Sequence, residues 1–157
     1  MRPPGFEPGT SGLEGQRPTT RLRPHVLLSV PTSLSFMSKR YASEVERELL
    51  RRIESSGGIC FRVAGSGSYG GKPDLIARIG NKYYVIEVKY TKNNFVYIKE
   101  EQKLKLIEQA LKFNAIPVLA VKFRKKGWRF FDLRLVENKI EINTKKGLID
   151  IFHKSLI

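Results

Sequence analysis

Cysteine is all but missing from this chain: Cys60 stands alone, so no internal disulfide can form and no thiolate-rich zinc site can be built. Its setting, Ile59-Cys60-Phe61, reads as a small buried hydrophobe. Long apolar runs are missing too, which excludes a transmembrane helix, and Val26-Leu27-Leu28-Ser29-Val30 is too short for a secretory signal. A cytoplasmic protein without a membrane partner is therefore expected. Only two histidines occur, and His153 reads as a solvated residue of a last helix. Acid is scarce: 15 Asp and Glu face 29 Lys and Arg, a formal charge of +14. Such a surface attracts polyphosphate, because neutralised phosphates release counterions, although a plain solvated surface or an anionic membrane fits the charge equally.

At 157 residues the chain has room for one domain with a sizeable core. Residues 1–36 carry six prolines and four early glycines with no amphipathic period, so they are expected to lie outside it. Gly5-Phe6-Glu7-Pro8 is also what the inverted repeat of a transfer-RNA gene's T-arm yields when translated. The expectation is a spurious extension with the natural start at Met37, a disordered tail being the alternative, and a single domain over 37–157. Removing Arg2, Arg17, Arg21, Arg23, Glu7 and Glu14 leaves 25 basic and 13 acidic residues, a charge of +12. The basic character belongs to the folded part.

From Met37 on, Ser43-Glu44-Val45-Glu46 has the form of a capping box, and Val45, Leu49, Leu50 and Ile53 follow at helical spacing up to Gly57-Gly58. A strand over Ile59–Val63 then delivers Arg62 to a loop of small residues, Ala64 to Gly71. Backbone donors and the hydroxyls of Ser66 and Ser68 suit that loop to a phosphate backbone, with a plain mobile loop as the alternative. It lacks the Gly-Lys-Ser/Thr ending of a P-loop, so no nucleotide cofactor is expected. Leu75–Ile79 and Tyr83–Tyr90 read as a hairpin turning at Gly80-Asn81, followed by a short extended piece, Phe95–Ile98. A second helix from about Lys99 to Phe113 takes Leu104, Ile107, Leu111 and Phe113 as its apolar side. Ile116–Phe123 reads as a strand buried on both faces, and Trp128–Leu133 returns beside it after a basic turn. Residues 148–157 are expected to form a last short helix. The order describes an α/β domain, one mixed sheet flanked by helices.

Chemistry concentrates in the hairpin. Asp74 enters its first strand, while Glu87 and Lys89, two apart, share a face of the second. Two carboxylates side by side repel unless a cation or proton lies between them, which points to a divalent metal. Mg²⁺ is a hard ion that takes oxygen ligands, and Asp74, Glu87 and the carbonyl of Val88 supply them. Lys89 is placed to polarise an attacking water or hold a phosphate, and Glu46 to complete the outer part of the site. Phosphodiester hydrolysis needs those functions together.

Pro73-Asp74 followed after twelve residues by Glu87-Val88-Lys89 resembles the PD-(D/E)xK nuclease motif, which implies the restriction-endonuclease-like fold. The wider pattern is more specific: Val45-Glu46-Arg47-Glu48, Phe61-Arg62-Val63-Ala64-Gly65-Ser66, Pro73-Asp74-Leu75, Ile86-Glu87-Val88-Lys89, Ile116 to Phe123 and Gly127-Trp-Arg-Phe. Together these are similar to the archaeal Holliday junction resolvases from about Lys39 to Asp132. The resemblance implies a homodimer that makes paired, symmetric nicks in four-way DNA junctions with Mg²⁺, with Mn²⁺ open as a substitute, during recombination and repair. It implies Glu46, Asp74, Glu87 and Lys89 as the catalytic set. Arg47 and Arg62 then contact DNA, joined by Ser66 or Ser68, Lys72 and, more weakly matched, Gln102. Helix two and the strand at Trp128–Phe131 are apolar candidates for the dimer interface. The alternatives are another endonuclease of the same fold and a junction-binding protein without catalysis.

Overall fold

The computed structural model describes residue 5, residues 33–66 and residues 71–152, with 33–39 described by backbone alone. It divides the chain between Val30 and Pro31, and all that follows concerns the second unit. Helix α1 (Ser33–Ser55) lays Val45, Leu49 and Ile53 against the sheet, one residue per turn or so, as their spacing demands. Its end is sharp because Gly57 adopts φ 86°, which lets the Gly58 amide bond back to the Ile53 carbonyl at 3.0 Å.

The sheet follows as β1 (Ile59–Arg62), β2 (Leu75–Ile79) and β3 (Lys82–Thr91), with the short pair β4 (Phe95–Tyr97) and β7 (Lys139–Glu141) set apart as a two-stranded ribbon. Helix α2 (Glu100–Lys112) separates β4 from β5 (Ile116–Phe123), β6 (Gly127–Asp132) follows, and β8 (Leu148–Ile149) closes the edge. The six-stranded order is β1-β2-β3-β5-β6-β8, and only β3 and β5 pair in parallel. A parallel neighbour requires a crossover, which α2 supplies. Gly80 opens the tight β2–β3 turn with φ 58°, a backbone shape that costs glycine little.

Strand alternation divides the core in two. Ile86, Val118, Ala120 and Phe130 point to the α1 side with Leu49, Ile53 and Leu75. Val85, Leu119, Val121 and Phe131 point to the other side, with Leu106 and Ala110 of α2 and Val96 and Ile140 of the ribbon. The result is the mixed sheet flanked by helices expected above. Cys60 is buried as expected, and burial, aided by Glu54, pushes its thiol up to about 12.

Four expectations need correction. Helix α1 starts at Ser33, ten residues before the Ser43 box, because Ser43 and Glu46 serve a tertiary contact instead of a cap. Helix α2 turns Leu106 and Ala110 into the core and packs Ile107 at its margin, whereas Leu104, Leu111 and Phe113 are exposed by 56, 66 and 60%. Its buried side includes Lys103, whose ammonium reaches the Val136 carbonyl at 2.8 Å, and that polar member hid the true stripe. Residues 148–149 form a strand paired with Phe130 and Phe131 rather than opening a helix; His153 lies outside the described residues. Strand β6 is likewise no free interface, since β5 and β8 flank it and Phe130 and Phe131 are buried.

Candidate active site

At one end of the sheet the start of β2 meets the last half of β3. Backbone bonds fix the meeting: the Asp74 amide donates to the Ile86 carbonyl and the Asp74 carbonyl accepts from Val63, each at 3.0 Å. The carboxylate of Asp74 then accepts the Val88 amide through Oδ2 at 2.8 Å. Glu87, in register with Leu119 of β5, is only 4% exposed. A carboxylate that deep needs partners. Its Oε1 accepts from Lys89 Nζ and from Gln102 Nε2 of α2, both at 2.7 Å.

Burial raises the Glu87 pKa, and the nearby Asp74 charge adds to the rise, while Lys89 and Gln102 oppose it. Asp74 and Glu87 therefore form a strained like-charge pair held in check by one ammonium and one amide. Oxygen donors dominate the cluster, and the Val88 carbonyl belongs to the same strand segment; this donor set fits a hard divalent cation and not a soft one.

A second constellation stands on the neighbouring strand. Arg62, opposite Leu75 in register, donates to Glu46 Oε2 of α1 through Nε at 3.1 Å and Nη2 at 2.6 Å, and Nη2 also reaches Ser43 Oγ at 3.3 Å. Among the described residues no group of three or more His, Cys, Asp or Glu is close enough to hold a metal ion. The structure thus brings together Asp74, Glu87, Val88, Lys89 and Gln102, and sets Glu46 with Arg62 apart from them. Arg47 and Lys72 are exposed, Ser66 is half-buried, and Ser68 lies outside the described residues.

Sequence reasoning placed Gln102 among DNA contacts, whereas here its amide donates to Glu87. It missed Gln109 altogether, whose Nε2 donates to the Gly71 carbonyl at 3.0 Å and ties the end of the small-residue loop to α2. A signal existed: Gln102, Leu106, Gln109 and Ala110 recur on one helix face, and polar residues on a buried face need something to bond.

A mixed sheet with helices on both faces, bearing Asp on one strand and Glu-x-Lys on the next, is the arrangement of the restriction-endonuclease-like fold. Residues 37–151 match the archaeal Holliday junction resolvase (Hjc) family, and the chain belongs to that family. It is 36% identical over 100 residues to the crossover junction endodeoxyribonuclease Hjc of Archaeoglobus fulgidus, covering 63% of this chain and 74% of that protein. It is 31% identical over 121 residues to the crossover junction endodeoxyribonuclease Hje of Saccharolobus islandicus, covering 74% of this chain and 90% of the relative. The solved structure of Archaeoglobus fulgidus Hjc, a Holliday junction resolvase, superposes with a TM-score of 0.57 at 32% identity, over 64% of this chain and 84% of the other.

Proposed function

We propose that this chain is a structure-specific endodeoxyribonuclease that resolves four-way DNA junctions by paired, symmetric nicks during recombination and repair. The observation that carries this reading is the buried Glu87, bonded to Lys89 and Gln102 and facing Asp74 across the β2–β3 pair, in a chain of this family.

Cleavage of a phosphodiester adds a water oxygen to phosphorus and expels the sugar oxygen. Lys89 is the donor for the phosphate or the incoming water, and its bond to Glu87 holds the ammonium in place. Gln102 fixes the rotamer of Glu87 from α2, so it acts as a positioning residue. Asp74, Glu87 and the Val88 carbonyl would hold Mg²⁺, with Mn²⁺ as a substitute, and the ion supplies positive charge at the phosphate and activates water when bound. Glu46, paired with Arg62 apart from this cluster, is assigned to the outer part of the site by the family resemblance. Arg47, Arg62, Ser66, Ser68 and Lys72 grip the DNA backbone, a role that the charge of +14 and the exposure of Arg47, Arg62 and Lys72 support. Two symmetric cuts require two sites related by a two-fold axis, so the working form is a homodimer. The exposed Leu104 and Leu111 of α2, with Phe113 at its C-cap, supply a face for it. The family match beginning at residue 37 supports a nuclease domain over 37–157 with residues 1–36 outside it. No helix among the described residues is long and apolar enough to cross a membrane, and a cytoplasmic enzyme is our reading.

The test offers a four-way junction, a linear duplex and a flap, with and without Mg²⁺. Junction-selective, metal-dependent nicking is expected; equal cutting of all three substrates defeats the junction reading. Glu87→Gln should lower the nicking rate by more than about a hundredfold while junction binding persists. Unchanged cleavage by that variant would remove the proposed site. A chain starting at Met37 is expected to nick as fast as the full one in the same assay.

A further inference from the structure

Back to back with Glu87 and Lys89, the opposite face of the same sheet end carries a lateral row of three residues. Tyr90 stands opposite Lys122 of β5, and Lys122 opposite Trp128 of β6. Alternation turns all three toward α1. Lys122 Nζ lies 5.9 Å from the centre of the Trp128 ring, and Glu48 of α1 accepts from both Lys122 and Trp128, the latter at 3.0 Å. Glu48 thereby locks the row beneath the helix.

Tyr41 stands two turns before Glu48 and is treated differently. Its ring lies against Tyr90 with centroids 4.6 Å apart and planes tilted by 50°, yet it remains 44% exposed. It is held by one neighbour below and left open to solvent above. The neighbouring Tyr90 hydroxyl raises the pKa of Tyr41, with the cations of Lys122 and Arg124 pulling the other way. The Tyr41 ring is thus neutral at physiological pH, backed by Tyr90 and near two cations, of which Arg124 is exposed. Neutral aromatic rings beside cations are what a stacked base and its phosphate require.

We propose that Tyr41, backed by Tyr90 and bordered by Lys122 and Arg124, is a base-stacking platform that takes the exposed face of a base pair at the branch point of a four-way junction. The inference rests on the junction-nuclease reading above. A base pair within a linear duplex is stacked on both sides and offers no π-face to a protein. Where four arms meet, the central pairs lose that continuous stack when the arms are splayed, and an aromatic ring can replace the missing neighbour. Tyr90 follows Lys89 directly, so the platform and the cutting site occupy the two faces of one strand end. Phosphates crossing that end can reach Lys89 while the branch-point bases reach Tyr41. The platform accordingly selects for substrate shape and not for sequence, since every base has a π-face.

The test compares Tyr41→Ala and Tyr41→Phe with the wild-type chain for binding to a four-way junction and to a linear duplex of the same arm sequence, with 2-aminopurine placed beside the branch point. Tyr41→Ala should weaken junction binding by about tenfold and leave duplex binding unchanged, while Tyr41→Phe, which keeps the ring, binds as the wild type does. The 2-aminopurine fluorescence should change on binding of wild type and Tyr41→Phe, and that change should vanish with Tyr41→Ala. If the wild type prefers the junction and Tyr41→Ala keeps both that preference and the fluorescence change, the platform is refuted and the nuclease reading stands. Equal losses on junction and duplex also refute it, since stacking at a branch point has no part in duplex binding. A wild-type chain with no preference for the junction overturns both readings.

Discussion

Glu87 is both the most buried charge of the site and the one whose ionisation folding opposes. Its pKa is raised on folding, chiefly by burial, so its protonated form is the one the native state favours. That contribution is fully present below the unfolded-state pKa and is lost as pH rises through the higher folded value. Above that folded value the ionised side chain opposes folding. Glu87→Gln is expected to raise Tm by a few degrees at neutral pH in metal-free buffer, and the gain should close as the pH falls toward the ordinary carboxylate range. A thermal melt series across pH checks this; a variant less stable than wild type at neutral pH would show that the Lys89 bond outweighs burial. The residue proposed to serve cleavage would thus weaken the resting fold, a common arrangement at catalytic centres.

At the scale of the element, α2 joins three tasks that its sequence advertises unequally. It covers the core with Leu106 and Ala110, holds Glu87 through Gln102, and anchors the Gly71 carbonyl through Gln109. Gly71 has φ 70°, and a Cβ there would lie 2.8 Å from Cδ and 2.9 Å from Cβ of Lys105, the second of which is fixed to the helix. Gly71→Ala is expected to cost about 1–3 kcal/mol in a denaturant titration and to slow cleavage, because the chain reaches Asp74 three residues later. Full stability would mean that the loop end shifts freely on α2. The hairpin and β5 were legible because their signals are local: β-rich runs, Gly80-Asn81 at the turn, and Glu87 two before Lys89. The start of α1 was not, because Ser43 and Glu46 satisfy the pattern of a cap while their oxygens bond Arg62, 16 residues further on for Glu46. The apolar side of α2 was misread because exposed leucines match helical spacing as well as buried ones do. Two residues of β8 are too few to carry any period, and only their pairing with β6 defines them.

For the molecule as a whole, the misread leucines acquire a use. Leu104, Leu111 and Phe113 lie outside both core clusters and are exposed on the helix that positions the site. Burying them between two copies would place α2, and with it Gln102, next to the two-fold axis of the proposed dimer. Leu111→Glu is expected to shift the sedimentation of the chain at micromolar concentration from dimer toward monomer and to abolish paired nicking; a variant that sediments like the wild type would move the interface elsewhere. In such a dimer, basic charge from both copies would face the DNA, and two sites would cut from one assembly.

The parallel pairing of β3 with β5 runs through eight registered residues, from Tyr84 with Ile116 to Thr91 with Phe123, and lies at the centre of the six-stranded sheet. Amides there can exchange with solvent deuterium only when the whole domain opens, whereas Leu148 and Ile149, on a two-residue edge strand, can exchange by local opening. Native-state hydrogen exchange should therefore find the amides of Glu87 and Val88 among the slowest of the chain and those of β8 much faster. Slow exchange at Glu87 would mean that the cutting residues keep their geometry until the molecule itself unfolds, so that heating removes enzyme molecules from the active population one at a time instead of loosening all of them together.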